Sequence, residues 1–369
     1  VESPVTTPAP RPEAVADDAR HARRRRRRRL ASDLTALALV GALLMAAFAA
    51  GGVALYRELY SPTAFVLRYL DLLADGRATD ARSVPGVALD AEQLAAAGLP
   101  ATASDALLRR DTLATLTDVE ALGERVDGDL TRVTVSYRAA GVEGKTTFAV
   151  VQDGWTGVVP SWRFATSPLA VLDLTVRGSM RFDVNGFEID KRQVSADGVD
   201  ADPLAALPLL VFSPGMYSVA VDTAISATPG VAVLADAPHA TVPVDIQAQA
   251  TEEFVGVVQQ RMNEFLGACA AQQVLQPTGC PFGFQVRNRI VDAPAWSIVQ
   301  QPEVRVEPDG AAWRIIPAEA VAHIDVDVRS LFDGSVRTVQ EDVRFVVSGG
   351  ITVLPDGTAS IQVQGQNAE

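Results

Sequence analysis

The run LTALALVGALLMAAFAAGGVAL, Leu34 to Leu55, governs how the rest of the chain is read: its 22 residues carry no charge and only Thr35 as a polar side chain. A helix of that length reaches about 33 Å at roughly 1.5 Å per residue, enough for a hydrocarbon core of roughly 30 Å. The pattern predicts a transmembrane helix over residues 30–57. Seven arginines, Arg23 to Arg29, stand immediately before it, and Lys/Arg bias beside a span holds that side in the cytoplasm, while Tyr56 and Tyr60 suit the opposite interface. The expected topology is single-pass at the cell membrane, with the N-terminus cytoplasmic and the C-terminal domains extracellular. A cleaved export signal competes with this reading, because Ala47, Phe48 and Ala49 form an A-x-A-like site. Against it stand a long amino-terminal region and an apolar stretch that continues through Val53, Ala54 and Leu55. Both readings export the large carboxyl-terminal part of the chain.

On either side of this run the charge changes sign. The 369 residues hold 32 Lys and Arg against 45 Asp and Glu, a net of −13, which argues against nucleic acid as a partner of the whole chain. Residues 1–29 carry nine Arg and four acids, whereas residues 57–369 carry 23 basic and 40 acidic side chains. Residues 1–29 are expected to be a disordered basic cytoplasmic tail, since their Pro, Ala, Thr and acids have no apolar period with which to form a core. A hydrophobic share of 48% excludes wholesale disorder, and two cysteines exclude a minimal disulfide scaffold. Of the basic residues only Lys145 and Lys191 are lysine, the codon bias of a GC-rich bacterial genome.

Beyond the apolar run, Ser61 and Pro62 open a helix with Phe65, Tyr69, Leu72 and Leu73 on one face and Gly76 after its last turn. Asp90 and Gln93 predict a capping box for a short second helix ending at Gly98, and Ser104 opens a third through Leu116. Strands are expected at Leu130–Ala139, Thr146–Val151 and Ser161–Ala165. Residues 168–248 read as a small β-sandwich, with strands Leu172–Val176, Met180–Val184, Phe187–Ile189, Leu209–Phe212 and Tyr217–Val221 and a hairpin turn at Asn185-Gly186, where both residues tolerate positive φ. From Thr251 a helix returns with a stripe of Val255, Val258, Met262, Phe265 and Cys269. Strands then come around Gln285–Val291, Ala312–Ile316, Ala322–Phe332, Val336–Val347 and Ile351–Val363.

Two segments share an order of leading amphipathic helix followed by strands, with Trp162-Arg163-Phe164 in one and Trp313-Arg314-Ile315 in the other. That order resembles the NTF2-like, or cystatin-like, α+β fold. The stretch VNGFEID (184–190) through PLLVFSPGMYSVAVDT (208–223) is similar to small β modules of the PEGA type. Over residues 30–365 the arrangement resembles the teicoplanin-resistance-associated membrane protein family of Gram-positive envelopes, departing from it in having no cysteine before Cys269. The resemblance carries over no catalytic residue. The fold class implied is α+β: one transmembrane helix, an NTF2-like α+β domain over 61–167, a PEGA-like β-sandwich over 168–248 and a second NTF2-like α+β domain over 251–365.

Candidate chemistry is sparse. Cys269 and Cys280, ten residues apart on the oxidising side, are expected to form a disulfide, since two thiolates without a nearby His give half a zinc site and the spacing is not CxxC. His323, Asp325 and Asp327 alternate on one strand and share a face, which reads as a wet face opposite Ile324, Val326 and Val328. Asp197, Asp200 and Asp202 cluster with Gly198 without the EF-hand order. Glu341 lies in register with Val339, Val343, Phe345 and Val347 on an apolar face, where a desolvated carboxylate in an NTF2-like cone can act as a base, and a bulge or register slip at the strand end explains it equally well. Trp155, in a turn between strands, is a candidate for glycan stacking and reads more simply as a cap on the local core. No catalytic, metal or cofactor site is therefore assigned. The expectation is a non-enzymatic envelope protein that senses or scaffolds by contacting another envelope protein or a cell-wall polymer. The alternatives are a small-ligand binder or enzyme built on a cone, and a transmembrane regulator acting through its Arg-rich tail on a partner or anionic lipid.

Overall fold

In a computed structural model of the chain, the described residues are 35, 37–48, 51–52, 56, 58–157, 159–354 and 359–367. The basic tail, residues 1–29, lies outside them. Helix α1 (Pro62–Ala74) starts where expected, with the Ala64 N–H donating to Ser61 Oγ at 3.1 Å. It ends as Gly76 takes φ +70° and the Arg77 N–H closes onto the Leu72 carbonyl at 2.8 Å. Its buried stripe is Val66, Tyr69, Leu70 and Leu73, rotated from the expected one. Helices α2 (Ala78–Arg82) and α3 (Ala91–Ala96) come next, and both arms of the capping box close on α3, Gln93 N–H to Asp90 at 2.8 Å and Asp90 N–H to Gln93 at 3.0 Å.

The third helix expected over 104–116 is absent. The Ser104 N–H donates to Pro208 O at 3.0 Å and the Ser104 carbonyl accepts from Leu210 at 2.8 Å, so this segment seals a strand edge and drops Leu107 into the next core. A 3-10 turn at Arg110–Thr112 leads into strands β1 (Leu116–Asp127), β2 (Leu130–Ala139), β3 (Val142–Thr156) and β4 (Val159–Phe164), an antiparallel meander in that order. Tyr69 stacks edge-on against Phe164 and Phe148, with ring centroids 5.1 and 6.1 Å away, which ties α1 to the sheet.

Strands β5 (Leu169–Arg177), β6 (Arg181–Val184) and β7 (Phe187–Asp190) lead into a short helix α4 (Lys191–Val194). Next come β8 (Leu207–Phe212), β9 (Gly215–Asp222), β10 (Ser226–Ala235), β11 (Thr241–Gln247) and β12 (Gln249–Ala250). They form two sheets, β11-β5-β8 and β12-β10-β9-β6-β7, around a shared apolar core of Leu172, Phe182, Leu209, Val211, Tyr217 and Val219. Asn185 and Gly186 turn the β6–β7 hairpin with φ of 51° and 82°.

Helix α5 (Glu252–Ala270), capped by Thr251, buries Phe254, Val258, Met262, Leu266 and Cys269, so Phe254 and Leu266 replace the expected Val255 and Phe265. It packs on a sheet whose central strands are β16 (Ala312–Arg329) and β17 (Val336–Val353). Beyond β17 lies β18 (Ala359–Asn367), and along β16 the segments β13 (Arg289–Ile290), β14 (Ala295–Gln300) and β15 (Val306–Asp309) share one edge. Two strands expected at 312–316 and 322–332 are one strand with an irregularity between Ile315 and Ala318.

These differences overturn the expected fold class. The described residues are β-dominated, 47% strand against 23% helix, and not an α+β assembly with one transmembrane helix. Strands of 18 residues, the extra strands β1, β10 and β11, and the loss of the third helix move the balance. No helix among the described residues is long and apolar enough to cross a membrane. The longest uninterrupted helical stretch described in the apolar run, residues 37–48, spans about 18 Å. Residues 30–34, 36, 49–50, 53–55 and 57 of the expected span lie outside the described set.

Candidate interaction surface

The proportions of the sheet built on β16 and β17 place most of the polar candidates. Helix α5 is roughly 28 Å long, while strands of the length of β16 and β17 reach roughly 60 Å, so both strands run beyond what the helix covers. Where they are covered, Ile324, Val326 and Val328 turn inward beside Trp313, Phe345 and Val347, as the alternation predicted. On the outer face His323 Nδ1 and Asp342 Oδ1 share a hydrogen bond of 2.7 Å, Gln340 donates to Asp325 at 2.9 Å and Thr338 to Asp327 at 2.6 Å. Each acid of the row is thus a rung of a cross-strand ladder between β16 and β17. Among the described residues no three His, Cys, Asp or Glu side chains are grouped to hold a metal ion.

Glu341 sits opposite the buried Ile324 on β16 and is itself exposed. Residues on its face closer to the helix, Phe345 and Val347, are buried in packed apolar contacts. A separate cleft of about 280 Å³ lies between Leu89, Leu94, Leu108, Leu169 and Leu210, with the Arg82–Asp105 pair at 2.9 Å on its lining. Its volume is near the lower bound for small-molecule sites.

The Asp197, Asp200 and Asp202 loop is organised around a lysine. Lys191 is 5% exposed, and its ammonium donates to the carbonyls of Asp202 at 2.6 Å, Pro203 at 3.3 Å and Ala205. Burial pushes this ammonium down from the usual lysine range, and the Asp202 carboxylate opposes that shift. Next to it, Asp190 is gripped by Arg192 through Nε at 2.9 Å and Nη2 at 2.6 Å, which holds its carboxyl below the usual range. No sequence pattern flagged Lys191, whose signal is only that it is one of two lysines. His239, at φ +57° between β10 and β11, has its Nε2 buried without a hydrogen-bond partner among the described residues, and burial lowers its pKa.

Cys269 and Cys280 are joined, with Cα atoms 5.8 Å apart. The bridge ties the end of α5 to the following loop, which is pinned further by Trp296 Nε1 donating to Val274 O at 2.8 Å and by Phe282 between Trp296 and Phe345.

Trp155 does not cap a core. It is 63% exposed at the β3–β4 hairpin end, opposite Pro160, just after an irregularity in the ladder and beside Gly154 at φ +106°. A bulge re-aims the side chains next to it, and here it presents an indole to solvent. On the same hairpin Thr156 Oγ1 and Ser161 Oγ pair at 3.2 Å, and Arg163 and Asp153 at 3.4 Å. An exposed indole can stack on a sugar ring or anchor a protein contact. No protein-family profile, curated protein or solved structure matches the chain.

Proposed function

We propose that residues 62–367 act outside the cytoplasm as a contact module of the cell envelope, scaffolding or sensing through another envelope protein or a cell-wall polymer, without catalysis. The observation that carries this reading is Trp155, an exposed indole on a structured hairpin end, the residue type of an interface anchor. The Cys269–Cys280 bridge supports an oxidising compartment. The polar row that suggested chemistry is engaged within the sheet: His323, Asp325 and Asp327 hold cross-strand partners.

In-cell photocrosslinking from a photoreactive residue at Thr156, followed by mass spectrometry, tests it. A specific neighbour that disappears when Trp155→Ala is added is the expected result. Labelling no stronger than from a buried control position would sink the proposal.

A further inference from the structure

The far end of the β16–β17 sheet carries a different surface. Beyond α5, β16 and β17 close in a turn over Ser330–Ser335, and at its apex Leu331 and Phe332 are 73% and 99% exposed. The turn is held by its own bonds: Ser330 N–H to Ser335 O at 2.8 Å, Gly334 N–H to Ser330 O at 3.1 Å, and Phe332 N–H to Ser330 Oγ at 3.2 Å. Asp333 is turned into the same network, accepting from the Ser335 N–H at 3.1 Å and hydroxyl at 2.8 Å. The apex is therefore a preformed apolar prong, and ordering it on contact costs little.

Behind the prong stand arginines. Arg289 and Arg329 are direct cross-strand partners, and Arg337 lies opposite Val328 on the other face of the hairpin neck. Like charges placed directly opposite are unfavourable. All three are exposed, and none forms an ion pair among the described residues, although residues 57–369 carry an excess of acids. An uncompensated cationic collar is complementary to an array of anions, and guanidinium suits phosphate. Arg329 and Arg337 sit three and five positions from Phe332 and flank the turn at the ends of β16 and β17, so Arg329 lies within about 10 Å of the apex along the chain. Apolar faces enter the boundary between headgroups and acyl chains to about 5–10 Å, which leaves that guanidinium within reach of the headgroups.

We propose that Leu331, Phe332 and the Arg289, Arg329 and Arg337 collar form a docking prong for the surface of an anionic phospholipid bilayer. The two apolar side chains enter the interface while the guanidinium groups bind headgroup phosphates. The proposal goes beyond the contact role above, on a different surface and with a different kind of partner. Its test reads lipid composition and not neighbour identity, so each fails separately.

The full chain, reconstituted in nanodiscs of phosphatidylcholine with or without phosphatidylglycerol, is compared by hydrogen exchange over residues 329–337. Exchange is expected to slow by about tenfold or more only with phosphatidylglycerol. That protection should be lost in L331S/F332S and in R289Q/R329Q/R337Q, while exchange at the centre of β16 stays unchanged. Equal exchange in both discs overturns the proposal. So does protection by inorganic phosphate with phosphatidylcholine discs, or protection that appears only with added envelope protein. The wild-type comparison decides even where a variant misfolds.

Discussion

Replacing Lys191 with Met tests whether the ammonium organises the 195–206 loop. Met keeps most of the apolar stem and removes all three donors, orphaning the carbonyls of Asp202, Pro203 and Ala205. A polar group left unsatisfied in a dry site costs about 1–3 kcal/mol. Asp202 and Ala205 are exposed, so water reaches part of the loop and the lower figure applies to each carbonyl. Three losses of about 1 kcal/mol, offset in part because no ammonium is then desolvated, leave a net destabilisation of about 2–3 kcal/mol. Urea unfolding followed by circular dichroism should show a lower midpoint at an unchanged slope, and hydrogen exchange should quicken in residues 195–206. A variant as stable as the parent, with exchange in that loop unaltered, would refute the reasoning.

Other perturbations rest on the same geometry. Removing the bridge with C269A/C280A should cost about 3 kcal/mol by the chain-entropy account of a short loop, read in the same urea titration, and an unchanged midpoint would contradict it. Asp183 faces Glu188 across the β6–β7 hairpin, and burial, then Glu188 and Asp222, push its carboxyl up. Asp183→Asn should therefore stabilise at pH 7 by about 0.2–1 kcal/mol, a gain that fades as acid protonates the parent, and a loss of stability would count against the assignment. Asp190 has the opposite sign: its pKa is depressed below 3.8, chiefly by Arg192, so its contribution is full above that value and lost as pH falls through the folded pKa. Asp190→Asn should accordingly be less stable than the parent at pH 7 and converge with it in strong acid, whereas a gap independent of pH would exclude charge as the cause.

What the sequence made legible was local. The Asp90–Gln93 capping box, the Asn185-Gly186 turn and the Ser61 start of α1 each depend on residues within four positions, and all three appear where the chemistry put them. Distance in sequence hid the rest. Ala106, Leu107 and Leu108 look helical, yet Ser104 is claimed by the edge of β8 more than a hundred residues on, and that bond outweighs helix propensity. Around residue 316 the inward set switches from Trp313 and Ile315 to Ala320, Ala322 and Ile324, so a two-residue alternation breaks phase at the irregularity and reads as two strands. The small residues of β10, Ser226-Ala-Thr-Pro-Gly, give almost no strand signal. Trp155 was visible as a residue, but whether it capped a core depended on how far the β3–β4 hairpin projects. Leu331 and Phe332 drew no notice because the expected strand ran through them.

The central claim, that the β-rich part works outside the cytoplasm, is tested most directly by the state of its two thiols in cells. Cells are denatured in the presence of a maleimide without reductant, and the peptides carrying Cys269 and Cys280 are weighed by mass spectrometry. The account predicts one bridged species with neither cysteine labelled, converting to double labelling after reduction. Two fully alkylated thiols before any reductant is added would contradict it.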